Sequence, residues 1–244
     1  PIYSELEAIE RFIFIAGLAP GCKAHIAHMS VPQGAEAVHY AKADGIDITV
    51  ETCPQYLGLN EDDLRRIGGV AKCDPPLRPQ ECVDELWDYV LDGSIDMIAS
   101  DHSPHTFAQK KVPMEQFDLA KQGCMGLTTM LPVVIDQGIV ERGMSLPLYA
   151  RFTALNCARR FGLYPQKGIL AVGSDADFYL LDLESNWVCE AEKTFYINKH
   201  TPFDGREFRG HIQSTYVRGT QVYDGTNILV EPGYGQFVEM KMNE

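Results

Sequence analysis

Two hydrophobic periods alternate along the first hundred residues. Leu6, Ile9, Ile13 and Ala16 recur at helical spacing behind Ser4-Glu5-Leu6-Glu7, which reads as a capping box, and Gly17, Pro20 and Gly21 end that helix. Ala24-His25-Ile26-Ala27-His28-Met29 then predicts a strand, 35–43 a helix stopped by Gly45, and the β-branched run 46–51 a second strand. A helix over 80–91 stops at Gly93 and a third strand follows at 95–99. Strand and helix alternating in this way predict parallel βαβ units. Three strands are too few to close a barrel of eight, so the sheet is either open or part of a larger one.

The pattern changes twice more. From Asp101 to about Met125 the chain is polar, with Lys110, Lys111 and Pro113, and reads as a long loop of the kind that carries function at strand ends. Helices follow at 127–137 and 146–161. Beyond Gly162 short strands at 178–182, 214–219 and 221–225 are separated by turn residues, which predicts a separate β-rich unit. The expected division is 1–165 and 166–244.

Composition narrows the class. With 244 residues, 45% of them hydrophobic, the chain can bury one large core, or a core plus a small satellite. A net charge of −13 argues against nucleic acid or an anionic membrane as partner. No apolar run is long enough to span a bilayer, and no signal peptide is read before Pro1, so a cytoplasmic location is expected. The seven cysteines are dispersed without a Cys-x-x-Cys pair, which suits reduced, mostly buried thiols.

Candidate chemistry starts where the third strand runs into Ser100-Asp101-His102-Ser103-Pro104-His105. An acid at the end of a buried strand needs a metal, a cation or a proton to compensate its charge. Strand C-terminal ends are also where β/α barrels mount catalytic groups. A helix cap is the plain alternative. His28 stands at a comparable strand end, and imidazole with carboxylate suits Zn, Mn, Fe or Ni. On spacing alone, ligand and packing roles both stay open. His25 is expected to face the opposite way as a packed histidine, His39 to be a surface or partly buried residue on a helix, and His200 and His211 to stand apart from the site.

An ordered set of motifs resembles the cyclic amidohydrolases: hydantoinases and dihydropyrimidinases, allantoinases, and dihydroorotases. The set comprises Ala24-His25-Ile26-Ala27-His28-Met29-Ser30, Glu51-Thr52-Cys53-Pro54-Gln55-Tyr56-Leu57, Lys72-Cys73-Asp74-Pro75-Pro76-Leu77-Arg78 and Ser100-Asp101-His102-Ser103-Pro104-His105. Phe161-Gly162-Leu163-Tyr164-Pro165-Gln166-Lys167-Gly168, Thr201-Pro202-Phe203-Asp204-Gly205 and Gly233-Tyr234-Gly235-Gln236-Phe237-Val238 extend the resemblance over essentially the whole chain. Glu-Thr-Cys-Pro-Gln-Tyr and Tyr-Pro-Gln-Lys-Gly lean toward hydantoinases, Ser-Asp-His-Ser-Pro toward allantoinases, and His105 toward dihydroorotases.

The resemblance implies an α/β fold: the C-terminal part of a (β/α)8 barrel, with its last three strands, followed by part of a small β-sandwich. It implies two divalent metal ions, zinc in most relatives, bridged by a carboxylated lysine and a hydroxide that opens a cyclic amide or ureide ring. His28 would be a ligand at the end of the sixth barrel strand. Asp101 would be a ligand at the end of the eighth and the general acid–base. Asp74 and Gln122 would meet the ring amide through their main chain, and His105 would either touch the substrate or cap the loop. The relatives' other metal ligands lie on the first, fourth and fifth strands, upstream of anything in this sequence. The expectation is therefore a C-terminal half that binds metal weakly and is inactive alone, within a protein that is a homodimer or homotetramer at full length. A dihydroorotase, a non-catalytic scaffold of the same fold, and a ring-binding module without chemistry are the alternatives.

Overall fold

The computed structural model describes residues 1–240. Helix α1 (Ile2–Gly17) leads to strand β1 (Ala24–Ile26), helix α2 (Pro32–Ala43) and strand β2 (Ile48–Thr52). Two short helices, α3 (Pro54–Gly58) and α4 (Glu61–Ile67), precede α5 (Gln80–Leu91) and strand β3 (Met97–Ile98). The three strands pair in parallel in the order β1-β2-β3, with Ala24 opposite Ile48 and Thr52 opposite Ile98. In β2 the alternation is direct: Ile48, Val50 and Thr52 are buried, and Thr49 and Glu51 face the other way. The buried face packs against Ala35 and Val38 of α2 and Leu86, Trp87 and Val90 of α5 in one apolar core. Trp87 completes its burial by donating Nε1–H to the Leu57 carbonyl at 2.9 Å.

The helices differ from expectation in informative places. The capping box at Ser4 does not form: α1 starts at Ile2 without a side-chain cap, which puts Ser4 inside the helix, and Glu7, the acid of that box, pairs with Arg11 at 3.3 Å. A capping box does form on α4, where Asn60 Oδ1 accepts from the Asp62 and Asp63 amides at 2.9 and 3.0 Å and Asp63 accepts from the Asn60 amide. Asn60→Ala should therefore lower stability by about 1 kcal/mol, read from chemical denaturation; no change would mean that the cap is redundant.

The long loop after β3 contains a one-turn helix α6 (Phe107–Lys110), itself boxed by Thr106 and Gln109, and a 3-10 stretch Met114–Leu119. Helix α7 (Met130–Val133) continues as a π-helical run Val134–Glu141, and α8 (Leu146–Ala150) continues through π-helical Arg151–Leu155 into α9 (Asn156–Arg160). Strands β4 (Phe178–Val188), β5 (Glu207–Val217) and β6 (Thr220–Tyr223) form an antiparallel meander, with β4 and β5 longer than their patterns predict. Buried Asp136 ties this sheet to the helices, pairing with Arg209 at 2.6 Å and Arg206 at 3.7 Å. All seven cysteines are free and five are buried, as their dispersal suggests. No helix among the described residues is long and apolar enough to cross a membrane.

Candidate active site

The parallel ladder runs on briefly past β1 and β3: the Met29 amide donates to the Glu51 carbonyl at 2.8 Å and the Ala99 amide to the Thr52 carbonyl at 3.0 Å. Two sharp backbone turns interrupt the extended chain at the same end of the sheet. His28 and Asp101 both have φ of +45°, in the left-handed region that costs an L-residue about 1–3 kcal/mol. Arg218 is the third non-glycine residue in that region among those described, and it sits in the tight β5–β6 connection with Gly219, where positive φ is required. His28 and Asp101 have no hairpin to account for them. The strain fixes where an imidazole and a carboxylate leave the ends of β1 and β3.

Asp101 is half-buried, and burial pushes its carboxyl above the usual range; the neighbouring His28 imidazole and a hydrogen bond from Gln55 pull it back, while Glu51 adds to the rise. Gln55 donates Nε2–H to Asp101 Oδ2 at 2.8 Å, which fixes one carboxylate oxygen. Gln55 is itself buried, placed by the short helix that begins right after β2. Beneath the acid lie two unreactive thiols. Burial and the Asp101 charge raise Cys53, and a hydrogen bond that the Cys73 thiol makes to Cys124, together with burial, raises Cys73. Burial also raises the Tyr56 phenol, whose hydroxyl donates to the Pro75 carbonyl at 2.8 Å and anchors the loop bearing Asp74.

The other expected residues gather around the same end. Asp74 is exposed on its loop. His105 Nε2 lies 2.8 Å from the Gln122 carbonyl, so its ring braces the Gln122 segment. The Gly123 amide donates to the Lys72 carbonyl at 3.0 Å, joining that segment to the Asp74 loop. His25 sits on the polar face of the sheet, 2.8 Å from Thr49 Oγ1 and 3.1 Å from Glu51 Oε2, and packs edge-on against the Phe161 ring, the packed histidine expected. His39 is exposed, as expected. His200, distant in sequence, is buried with Nε2 2.8 Å from the His105 carbonyl, so it reaches the site loop from the β-rich tail.

The donor set can be compared with what a metal needs. His28 and Asp101 offer the nitrogen and oxygen chemistry that divalent zinc, manganese or iron accept. Among the described residues no group of three or more His, Cys, Asp or Glu side chains could enclose an ion. The two residues fit such an ion in kind.

Comparison with known proteins decides the lineage. Residues 11–222 match the model of the amidohydrolase family. The chain belongs to that family. Among amidohydrolases with curated names it is 41% identical over 243 residues to an allantoinase of Solibacter usitatus, covering 100% of this chain and 52% of the relative. It is 38% identical over 244 residues to an L-hydantoinase of Paenarthrobacter aurescens, covering 100% and 53%. The solved L-hydantoinase (dihydropyrimidinase) from Arthrobacter aurescens superposes with a TM-score of 0.94 at 38% identity, over 97% of this chain and 52% of that one. A dihydropyrimidinase from Brevibacillus agri gives 0.88 at 29% identity, over 94% and 50%. The chain thus spans about half the length of the amidohydrolases it matches.

Proposed function

We propose that the complete protein opens a cyclic amide ring of the hydantoin, allantoin or dihydropyrimidine type by metal-dependent hydrolysis. The paired left-handed turns at His28 and Asp101 carry this reading, because a fold gains nothing from two strained strand ends unless the side chains they aim are used. A scaffold of the same fold leaves that pairing without a reason. The three parallel strands are then the last three of a (β/α)8 barrel, with the site at their C-terminal ends. The polar face bearing His25, Thr49 and Glu51 is the barrel interior, and the antiparallel sheet is part of a small sandwich.

In this reading His28 and Asp101 are two of the ligands of a pair of divalent cations, zinc by preference, and the remaining ligands come from residues outside this sequence. Such ions lower the pKa of water and polarise the scissile carbonyl. The work of this chain is to hold and move a proton. Gln55 ties down Oδ2 of Asp101 and leaves Oδ1 to accept a proton from the attacking water. As the ring C–N bond breaks, Asp101 returns that proton to the leaving nitrogen, which would otherwise depart as an unstable anion. The main chain at Asp74 and Gln122 meets the ring amide, and His105 acts by bracing Gln122. In this reading the complete protein works in the cytoplasm as a homodimer or homotetramer.

The test uses the complete, zinc-loaded protein with allantoin, hydantoin, dihydrouracil and dihydroorotate. Ring opening of a hydantoin, allantoin or dihydrouracil, lost on chelation and restored by zinc, is expected. Turnover confined to dihydroorotate would reassign the substrate, and hydrolysis of none of the four would refute the reading.

A further inference from the structure

The loop after β3 hides one cation. Lys110, the last residue of α6, is completely buried, although its neighbour Lys111 is exposed. Its ammonium donates to the carbonyls of Lys72 at 2.8 Å, Lys121 at 2.7 Å and Gly123 at 2.6 Å. An ammonium has three N–H donors, and each finds one carbonyl. None of its hydrogen bonds goes to a carboxylate, and burial lowers the lysine's pKa. Burying a charge without a counter-charge is unfavourable, so the three carbonyls must define the reason for it.

Those carbonyls belong to the two segments that flank the candidate site, one leading to Asp74 and one containing Gln122. A trans peptide is planar, so its C=O and N–H point in opposite directions. Drawing the Lys121 carbonyl inward turns the Gln122 N–H away from Lys110, and drawing in the Lys72 and Gly123 carbonyls does the same to the Cys73 and Cys124 N–H groups. The Gln122 N–H finds no protein acceptor among the described residues, which leaves it free to donate to a ligand. The next peptide is held from the other side, by His105 on the Gln122 carbonyl. Behind Lys110 the packing is closed: a Cβ on Gly69 would lie 2.1 Å from the Lys110 carbonyl oxygen. Gly69 thus blocks movement of α6 in that direction.

We propose that Lys110 is a positioning residue for substrate: its buried ammonium aligns the 72–74 and 121–124 main chains so that their amides meet the ring amide together. This rests on the reading of the site as one for cyclic amides. Lys110 touches neither substrate nor metal ligands and acts through the peptides it orients.

The experiment uses the complete protein carrying Lys110→Ala, with Lys110→Met as a second variant that keeps the alkyl volume without the charge. Misplacing one amide that contacts a non-reacting part of the ring should raise KM about tenfold and leave kcat within about threefold. Adding n-propylammonium to the Lys110→Ala protein should restore KM, and n-propanol, similar in size and uncharged, should not. Hydrogen exchange supplies a readout independent of turnover: amides in 72–76 and 121–124 should exchange faster together in both variants, and n-propylammonium should slow both segments in Lys110→Ala. Unchanged KM in both variants, equal rescue by n-propanol, or exchange rising in neither segment would overturn the proposal. If the unmutated protein opens no cyclic amide, the functional reading fails, and the exchange result alone decides whether Lys110 sets the two segments.

Discussion

Asp101→Asn in the complete protein is expected to reduce ring-amide hydrolysis by about 10²–10⁴-fold, the range that a lost general acid–base produces. The loss should fall on kcat, since the carboxylate acts on a proton in flight and not on ring binding. Folding should be nearly unaffected. Asn retains an oxygen that can accept the Gln55 hydrogen bond, and the left-handed turn at 101 is one that Asn tolerates better than most residues. The circular dichroism spectrum and melting temperature should therefore stay close to those of the unmutated protein. Bound zinc, measured by atomic absorption, should fall as well, because Asn is a weaker ligand than a carboxylate. A variant that hydrolyses the ring at an undiminished rate would remove Asp101 from the chemistry.

Why His28 and Asp101 could be found in the sequence, and Lys110 could not, is a matter of range. The two strand-end residues are set by local pattern: an apolar strand, then a polar residue where the strand stops. The period-2 burial of Ile48, Val50 and Thr52 is likewise local, so the three parallel strands were legible within two or three residues. Their left-handed φ was not, because neither position is glycine and nothing in the composition signals strain. Lys110 and Lys111 are adjacent and chemically identical in sequence, and a polar stretch with both reads as a solvated loop. The signal that separates them is Thr106-Phe107-Ala108-Gln109, a capping box that starts one helical turn and so fixes which lysine turns inward. The buried cradle itself comes from carbonyls 11, 13 and 38 residues away in the chain, which no local pattern encodes. His200 is harder still, since it reaches His105 across 95 residues.

Arg78→Ala is expected to destabilise the complete protein by about 3–5 kcal/mol, the penalty for leaving one member of a buried ion pair without the other. Arg78 and Glu5 are both largely sequestered, with their side chains 7% and 12% exposed, and their charged groups meet at 2.7 Å. Ser30 lies between them: its amide and hydroxyl donate to Glu5, and its hydroxyl accepts from Arg78 Nε at 2.9 Å. Removing the guanidinium leaves the Glu5 carboxylate with Ser30 alone and the Ser30 hydroxyl short of a donor. The change should show as a fall in the urea midpoint at constant m-value. A double variant, Glu5→Gln with Arg78→Met, removes both charges and should recover most of the loss, whereas independent contributions would make it worse than Arg78→Ala. Ser30 stands two residues from His28, so the same network holds the strained turn that aims the imidazole. Zinc content should accordingly fall in Arg78→Ala even at temperatures where the protein stays folded, and return in the double variant. If the double variant were less stable than Arg78→Ala, the ion pair would be a product of the fold and not one of its supports.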